Sequence, residues 1–173
     1  MLALVALSIS SASAATGFYN YSYLDFGTAQ TTHESQVGLK FTGPLSLALD
    51  GELVRQSVNQ SSKTGFEGGV TVPLVKLGSM TSAARLGYGQ IENSKYYSVS
   101  ADVTLPISSS VGLFANVRHR NGISRDVPSA VNRVAVGFDA KLAKNLSARI
   151  GYEAERINRV NGQGVVLSLN YSL

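Results

Sequence analysis

Cysteine is absent from all 173 residues. That rules out a disulfide framework and any thiolate-held metal. No apolar run of about 18 to 20 residues follows the N-terminal segment, so an ordinary transmembrane helix is excluded as well. A long helix-period pattern is also missing. Proline occurs only four times: Pro44, Pro73 and Pro106 fall near the ends of strand-like segments and Pro128 in a loop, where a lost N–H breaks no ladder. Hydropathy alone reads such a chain as soluble. A barrel escapes that test, because every second residue of its strands faces the interior.

What is present first is a leader-like start. Residues Met1 to Ala14 are small and apolar and end in Ala12-Ser13-Ala14, the small-x-small pattern of a secretory cleavage site. We therefore expect a signal peptide over residues 1–14 and one mature domain over 15–173. A buried N-terminal helix is the alternative reading of the same run.

Period-two alternation between turn signals marks ten segments, at about 17–26, 34–42, 45–55, 65–75, 82–91, 96–106, 111–121, 131–142, 146–157 and 162–173. Each has roughly the length a tilted strand needs to cross a bilayer. Short connections follow strands two, four, six and eight. Longer polar ones follow strands one, three and seven, at Gly27–His33, Gln56–Thr64 and Gly122–Ala130. The expected fold is an all-β, closed antiparallel transmembrane barrel of ten strands, or of eight if two segments are wrongly split. Short periplasmic turns, longer outer loops and two periplasmic termini complete that expectation.

Charge placement sharpens it. On the barrel reading one face carries seven bases, Lys40, Arg85, Arg118, Arg120, Arg133, Lys141 and Arg149. The same face carries seven acids, Asp50, Glu52, Glu67, Asp102, Asp139, Glu153 and Glu155. The alternate positions are apolar, as in Val134, Val136, Phe138, Ala140 and Leu142. A soluble sandwich or lipocalin-like barrel inverts this arrangement. Turning strand eight into nine at residues 143–145 sets Asp139 opposite Arg149 and Arg133 opposite Glu155, each such pair adding roughly 0.2–1 kcal/mol. Asn161-Gly162 reads as a two-residue type I′ turn, which puts Tyr152 opposite Tyr171 and Leu173 near Ile150.

The last nine residues alternate strictly, with Val165, Leu167, Leu169, Tyr171 and Leu173 on one face and Ser168, Asn170 and Ser172 on the other. This end resembles the C-terminal strand of bacterial outer-membrane β-barrels, which the barrel-assembly machinery reads. The resemblance implies an assembly signal at Leu167, Leu169, Tyr171 and Leu173, although the family's usual final residue is Phe. Over almost all of its mature length the pattern is similar to small barrels of the OmpA-domain, OmpX and Ail type. It implies a location in the outer membrane of a Gram-negative envelope.

Candidate chemistry is sparse. His33-Glu34-Ser35 is similar to the His-x-Ser pattern of outer-membrane lipid A deacylases, in which Ser attacks and His is the base; the competing reading is a solvated rim. Asp25, Glu34, Glu92 and Asp126 near one mouth are similar in placement to the paired acids of the ten-strand omptin proteases, without matching their motifs. His119, between Arg118 and Arg120, reads as a rim residue, and no metal partners accompany it. The net charge of +4 is accounted for by loops and rims, so nucleic acid is not an expected partner. We expect no cofactor, no bound metal and no catalytic residues.

The first functional expectation is a small non-enzymatic barrel at the cell surface, acting in surface interaction or envelope integrity through its outer loops. Outer-membrane lipid and lipopolysaccharide are the expected partners, with Arg125, Arg156 and Arg159 as contact candidates. A narrow porin-like channel for ions or small solutes is the alternative, and an outer-membrane lipid hydrolase is third. The sequence leaves the oligomeric state open.

Overall fold

A computed structural model describes residues 14–27, 30–43, 46–59, 61–123, 130–157 and 160–173. Residues 1–13 of the expected leader lie outside them. Ten strands follow in chain order: β1 Ala14–Asp25, β2 Thr31–Thr42, β3 Ala48–Val58, β4 Ser61–Leu77, β5 Met80–Ile91, β6 Ser94–Pro106, β7 Val111–Gly122, β8 Val131–Ala143, β9 Leu146–Ile157 and β10 Val160–Ser172. Every strand pairs antiparallel with its sequence neighbours, and β10 closes on β1. Closure leaves no unpaired sheet edge. The last backbone bond is Leu173 N–H donating to the Ala15 carbonyl at 2.9 Å.

The end where β1 begins and β10 finishes is called proximal here, and the other distal. Strands tilt as closure demands. A walk across facing partners from Thr16, at the proximal end of β1, passes Lys40, Asp50, Gly69, Gly87, Ser98, Arg120, Val131, Ile157 and Val160. It has then reached the distal end. Residues distant in sequence are thereby brought to one level inside the barrel.

The period of two decides what faces where. Outward positions hold large apolar side chains in the open: Leu53 and Leu86 are each 65% exposed, Ile150 58% and Phe138 55%. Inward positions hold charge out of solvent, with Glu67 and Glu153 only 1% exposed. This is the inverse of a soluble barrel and the arrangement of one whose outer face meets lipid.

Two local expectations change. The loop expected over Gln56–Thr64 does not form, because β3 runs to Val58, β4 starts at Ser61, and Val58 pairs with Ser61. Asn59 supplies the positive φ, 53°, that the tight turn needs. Nor does Asn161-Gly162 make a turn. Both lie inside β10, Tyr152 faces Val165 rather than Tyr171, and Leu167 rather than Leu173 faces Ile150. Gly162 serves packing instead, since a Cβ there would lie 2.5–2.7 Å from atoms of the Phe26 ring. The expected β8–β9 register is the observed one, with Arg133 facing Glu155 and Asp139 facing Arg149. Pro73 lies where the β4–β5 register shifts, a place that tolerates a missing donor.

Candidate functional site

The inward charges condense into three tiers. The distal tier joins Glu34, Arg120, Arg133, Glu153 and Glu155. Arg133 donates from Nε to Glu155 Oε2 at 2.7 Å and from Nη1 to Glu34 Oε1 at 3.1 Å, and its Nε lies 3.1 Å from Glu153 Oε1. Arg120 Nη1 reaches Glu34 Oε2 at 3.4 Å and stacks its guanidinium 4.6 Å from the Tyr96 ring centre. Gln36 donates to Glu34 at 2.9 Å and Ser22 to Glu153 at 3.1 Å. Since β2 and β7 stand opposite one another in the ring of strands, the Glu34–Arg120 pair spans the lumen.

The middle tier is built on Glu67, which accepts from Arg85, from Arg118 at 2.6 Å and from Ser98 at 2.7 Å. Arg85 also donates to Asp50 from Nε, which lies 2.9 and 3.0 Å from its two oxygens, and from Nη2, a two-nitrogen contact of bidentate type. Glu52 Oε1 lies 3.6 Å from Arg118. In the proximal tier Arg149 donates to Asp139 at 2.7 Å and to Asp102 at 2.8 Å. Lys40 and Lys141 also point inward by parity, but among the described residues neither joins an ion pair within 4.0 Å.

Glu34 is the correction here. It is no solvated rim residue but 2% exposed, and it couples two arginines across the lumen. Its neighbours His33 and Ser35 take the opposite, outward face. The carboxylate of the His33-Glu34-Ser35 pattern is therefore turned away from its His and Ser. The His33 ring nitrogen Nδ1 meets the Tyr21 hydroxyl at 2.7 Å instead. No cluster among the described residues could hold a metal ion.

Outward residues become polar toward the distal end. His119 Nδ1 lies 2.8 Å from Asn132 Oδ1, and Asn132 faces Arg156, which faces Asn161. Arg156 is thus exposed on the outer face at the distal end; Arg125 and Arg159 lie outside the described residues. At the proximal end the outward residues stay apolar to the last position. Leu167, Leu169, Tyr171 and Leu173 are 43%, 47%, 50% and 74% exposed.

The sequence matches no protein-family model and no curated protein. Solved structures do resemble it. The β domain of the Bordetella autotransporter BrkA superposes with a TM-score of 0.57 at 11% identity, covering 91% of this chain and 98% of that one. The chain has the fold of an outer-membrane β-barrel. The NanC porin gives a TM-score of 0.57 at 9% identity over 91% of this chain and all (100%) of its own. The KdgM porin gives 0.54 at 12%, over 91% and 99%. These likenesses carry the architecture alone.

Proposed function

We propose that this is a small, non-enzymatic outer-membrane barrel, closed by its own side chains, that acts in surface interaction or envelope integrity through its distal end. One observation carries the reading: the distal tier ties Glu34 to Arg120 and Arg133 from opposite walls. A lumen crossed by ion pairs in the distal and middle tiers, with part-buried pairs below them, is filled, as in narrow barrels, and selective pores more often carry a ring of one sign.

The polar outward belt supports placing the distal end in the outer leaflet and both termini in the periplasm. On this reading Arg156, together with Arg125 and Arg159, contacts lipopolysaccharide phosphates, and the outward residues of β10 are read by the barrel-assembly machinery. The narrower resemblance to OmpA-domain, OmpX and Ail barrels agrees with a surface role. The contact surface takes in the barrel's own rim as well as the outer loops, because the β3–β4 hairpin carries its polar residues on strands.

A narrow channel remains the second reading. Glu52 Oε1, Glu153 Oε1, Arg118 Nε and Arg120 Nη2 are buried without a hydrogen-bond partner, which favours water in the lumen, and two of the similar structures are porins.

Absence of cysteine makes the orientation directly testable. Asn93→Cys, in the distal β5–β6 turn, should react with a membrane-impermeant maleimide on intact cells. Ser79→Cys, in the proximal β4–β5 turn, should react only after permeabilisation. The reverse pattern would invert the assignment of the two ends.

A further inference from the structure

The outward face of β2, β3 and β4 changes character along all three strands in step. From the distal end, β2 presents His33, Ser35, Val37 and Leu39; β3 presents Ser57, Arg55, Leu53 and Gly51; β4 presents Ser62, Thr64, Phe66 and Gly68. Cross-strand pairing sets these in rows: His33 with Ser57 and Ser62, Ser35 with Arg55 and Thr64, Val37 with Leu53 and Phe66, Leu39 with Gly51 and Gly68. The upper two rows are polar and the lower two apolar.

The upper rows are built around one cation. Arg55 donates from Nε to Ser62 Oγ at 2.9 Å, and Ser57 Oγ donates to the same oxygen at 3.3 Å. That leaves the terminal nitrogens of the exposed guanidinium as donors. His33 is held by Tyr21 at 2.7 Å and by the edge-on Tyr23 ring at 5.0 Å. In the tautomer whose Nδ1 accepts from the Tyr21 hydroxyl, Nε2 carries the hydrogen and is a further donor. None of the six upper positions is acidic, and the nearby Glu92 is paired with Lys63 at 3.6 Å.

The lower rows open into a groove of about 1210 Å³ lined by Val37, Leu39, Leu53, Phe66, Tyr88 and Tyr171, among others. Gly51 and Gly68 face each other on its floor, and a Cβ on Gly51 would meet nothing within 4 Å. Arg55 and Gly51 are four positions apart, or about 13 Å along the strand.

We propose that this face is a binding site for one phosphorylated glycolipid, with its phosphate on Arg55 and an acyl chain in the glycine-floored groove. The Ser and Thr hydroxyls around Arg55 exchange hydrogen bonds with the sugar, which favours a glycolipid over a glycerophospholipid. The site rests on the reading that the distal end lies among outer-leaflet headgroups, and it gives His33 and Ser35 a binding role instead of a catalytic one.

Native mass spectrometry of the full chain in detergent, titrated with lipid A, dephosphorylated lipid A and phosphatidylglycerol, tests it. Arg55→Gln should weaken lipid A binding by about tenfold and leave dephosphorylated lipid A unaffected. Gly51→Leu, which fills the groove from an open position, should weaken both forms of lipid A while the heat-shifted gel mobility of the folded barrel persists. Unchanged lipid A binding by Arg55→Gln, or equal affinity for phosphatidylglycerol, overturns the site. An Arg156→Gln arm separates the two readings. Binding lost there but kept in Arg55→Gln defeats this site alone, whereas no lipid A binding by the unaltered protein defeats the rim reading with it.

Discussion

Arg133→Ala is expected to lower the unfolding free energy by about 3–5 kcal/mol, the usual cost of stranding buried charge. Arg133 is 9% exposed and lies within 3.1 Å of Glu34, Glu153 and Glu155 alike. Among the described residues, its removal leaves Glu153 and Glu155 without an ion pair within 4.0 Å and Glu34 with the longer contact to Arg120. Glu155→Ala should cost less, because Arg133 keeps Glu34 and Glu153. An exposed rim change such as Arg156→Ala should stay within about 0.5 kcal/mol. Urea titration of the protein refolded into lipid vesicles, followed by circular dichroism and gel mobility, gives these differences. A loss below about 1 kcal/mol for Arg133→Ala would mean that the distal tier is not the buried network described here.

The second large effect concerns conduction. Replacing Glu34, Arg120, Arg133 and Glu155 with serine removes two acids and two bases, so the lumen keeps its charge balance while losing the distal plug. The middle tier still crosses the barrel through Arg118, Glu67 and Glu52, so little current should follow from that change alone. Adding Glu52, Glu67, Arg85 and Arg118 to the set should raise planar-bilayer current by at least about tenfold over leak, as a side-chain-filled barrel becomes a water-filled one. Circular dichroism must first show that the stripped barrel still folds. Without any rise in current in a folded barrel, the tiers would not be what closes the lumen.

Much of this was legible in the residues, and for identifiable reasons. Strand eight alternates Arg133, Asp139 and Lys141 with Val134, Val136 and Phe138, so inside and outside separate cleanly. The charge pairs across residues 143–145 then left one register. Alternation failed where both faces are polar. His33, Glu34 and Ser35 offer no apolar contrast, so Glu34 reads as rim, although its parity with Gln36 and Lys40 points inward. The same lack of contrast made Gln56–Thr64 read as a loop, when Ser57, Ser62 and Thr64 line the distal outer face of a continuing hairpin. Asn161-Gly162 misled differently. The dipeptide is a strong turn signal, but here Gly162 is bare because Phe26 covers it, a contact between the two ends of the chain that no local pattern reveals.

A surface role without transport requires that the native lumen be closed. The most direct measurement is single-channel recording of the unaltered, refolded protein in planar bilayers, in symmetric salt and across both voltage polarities. Three ion-paired tiers predict no steady current above the bilayer's leak. A reproducible, ion-selective unit conductance would contradict the closed-barrel reading and put a narrow pore in its place.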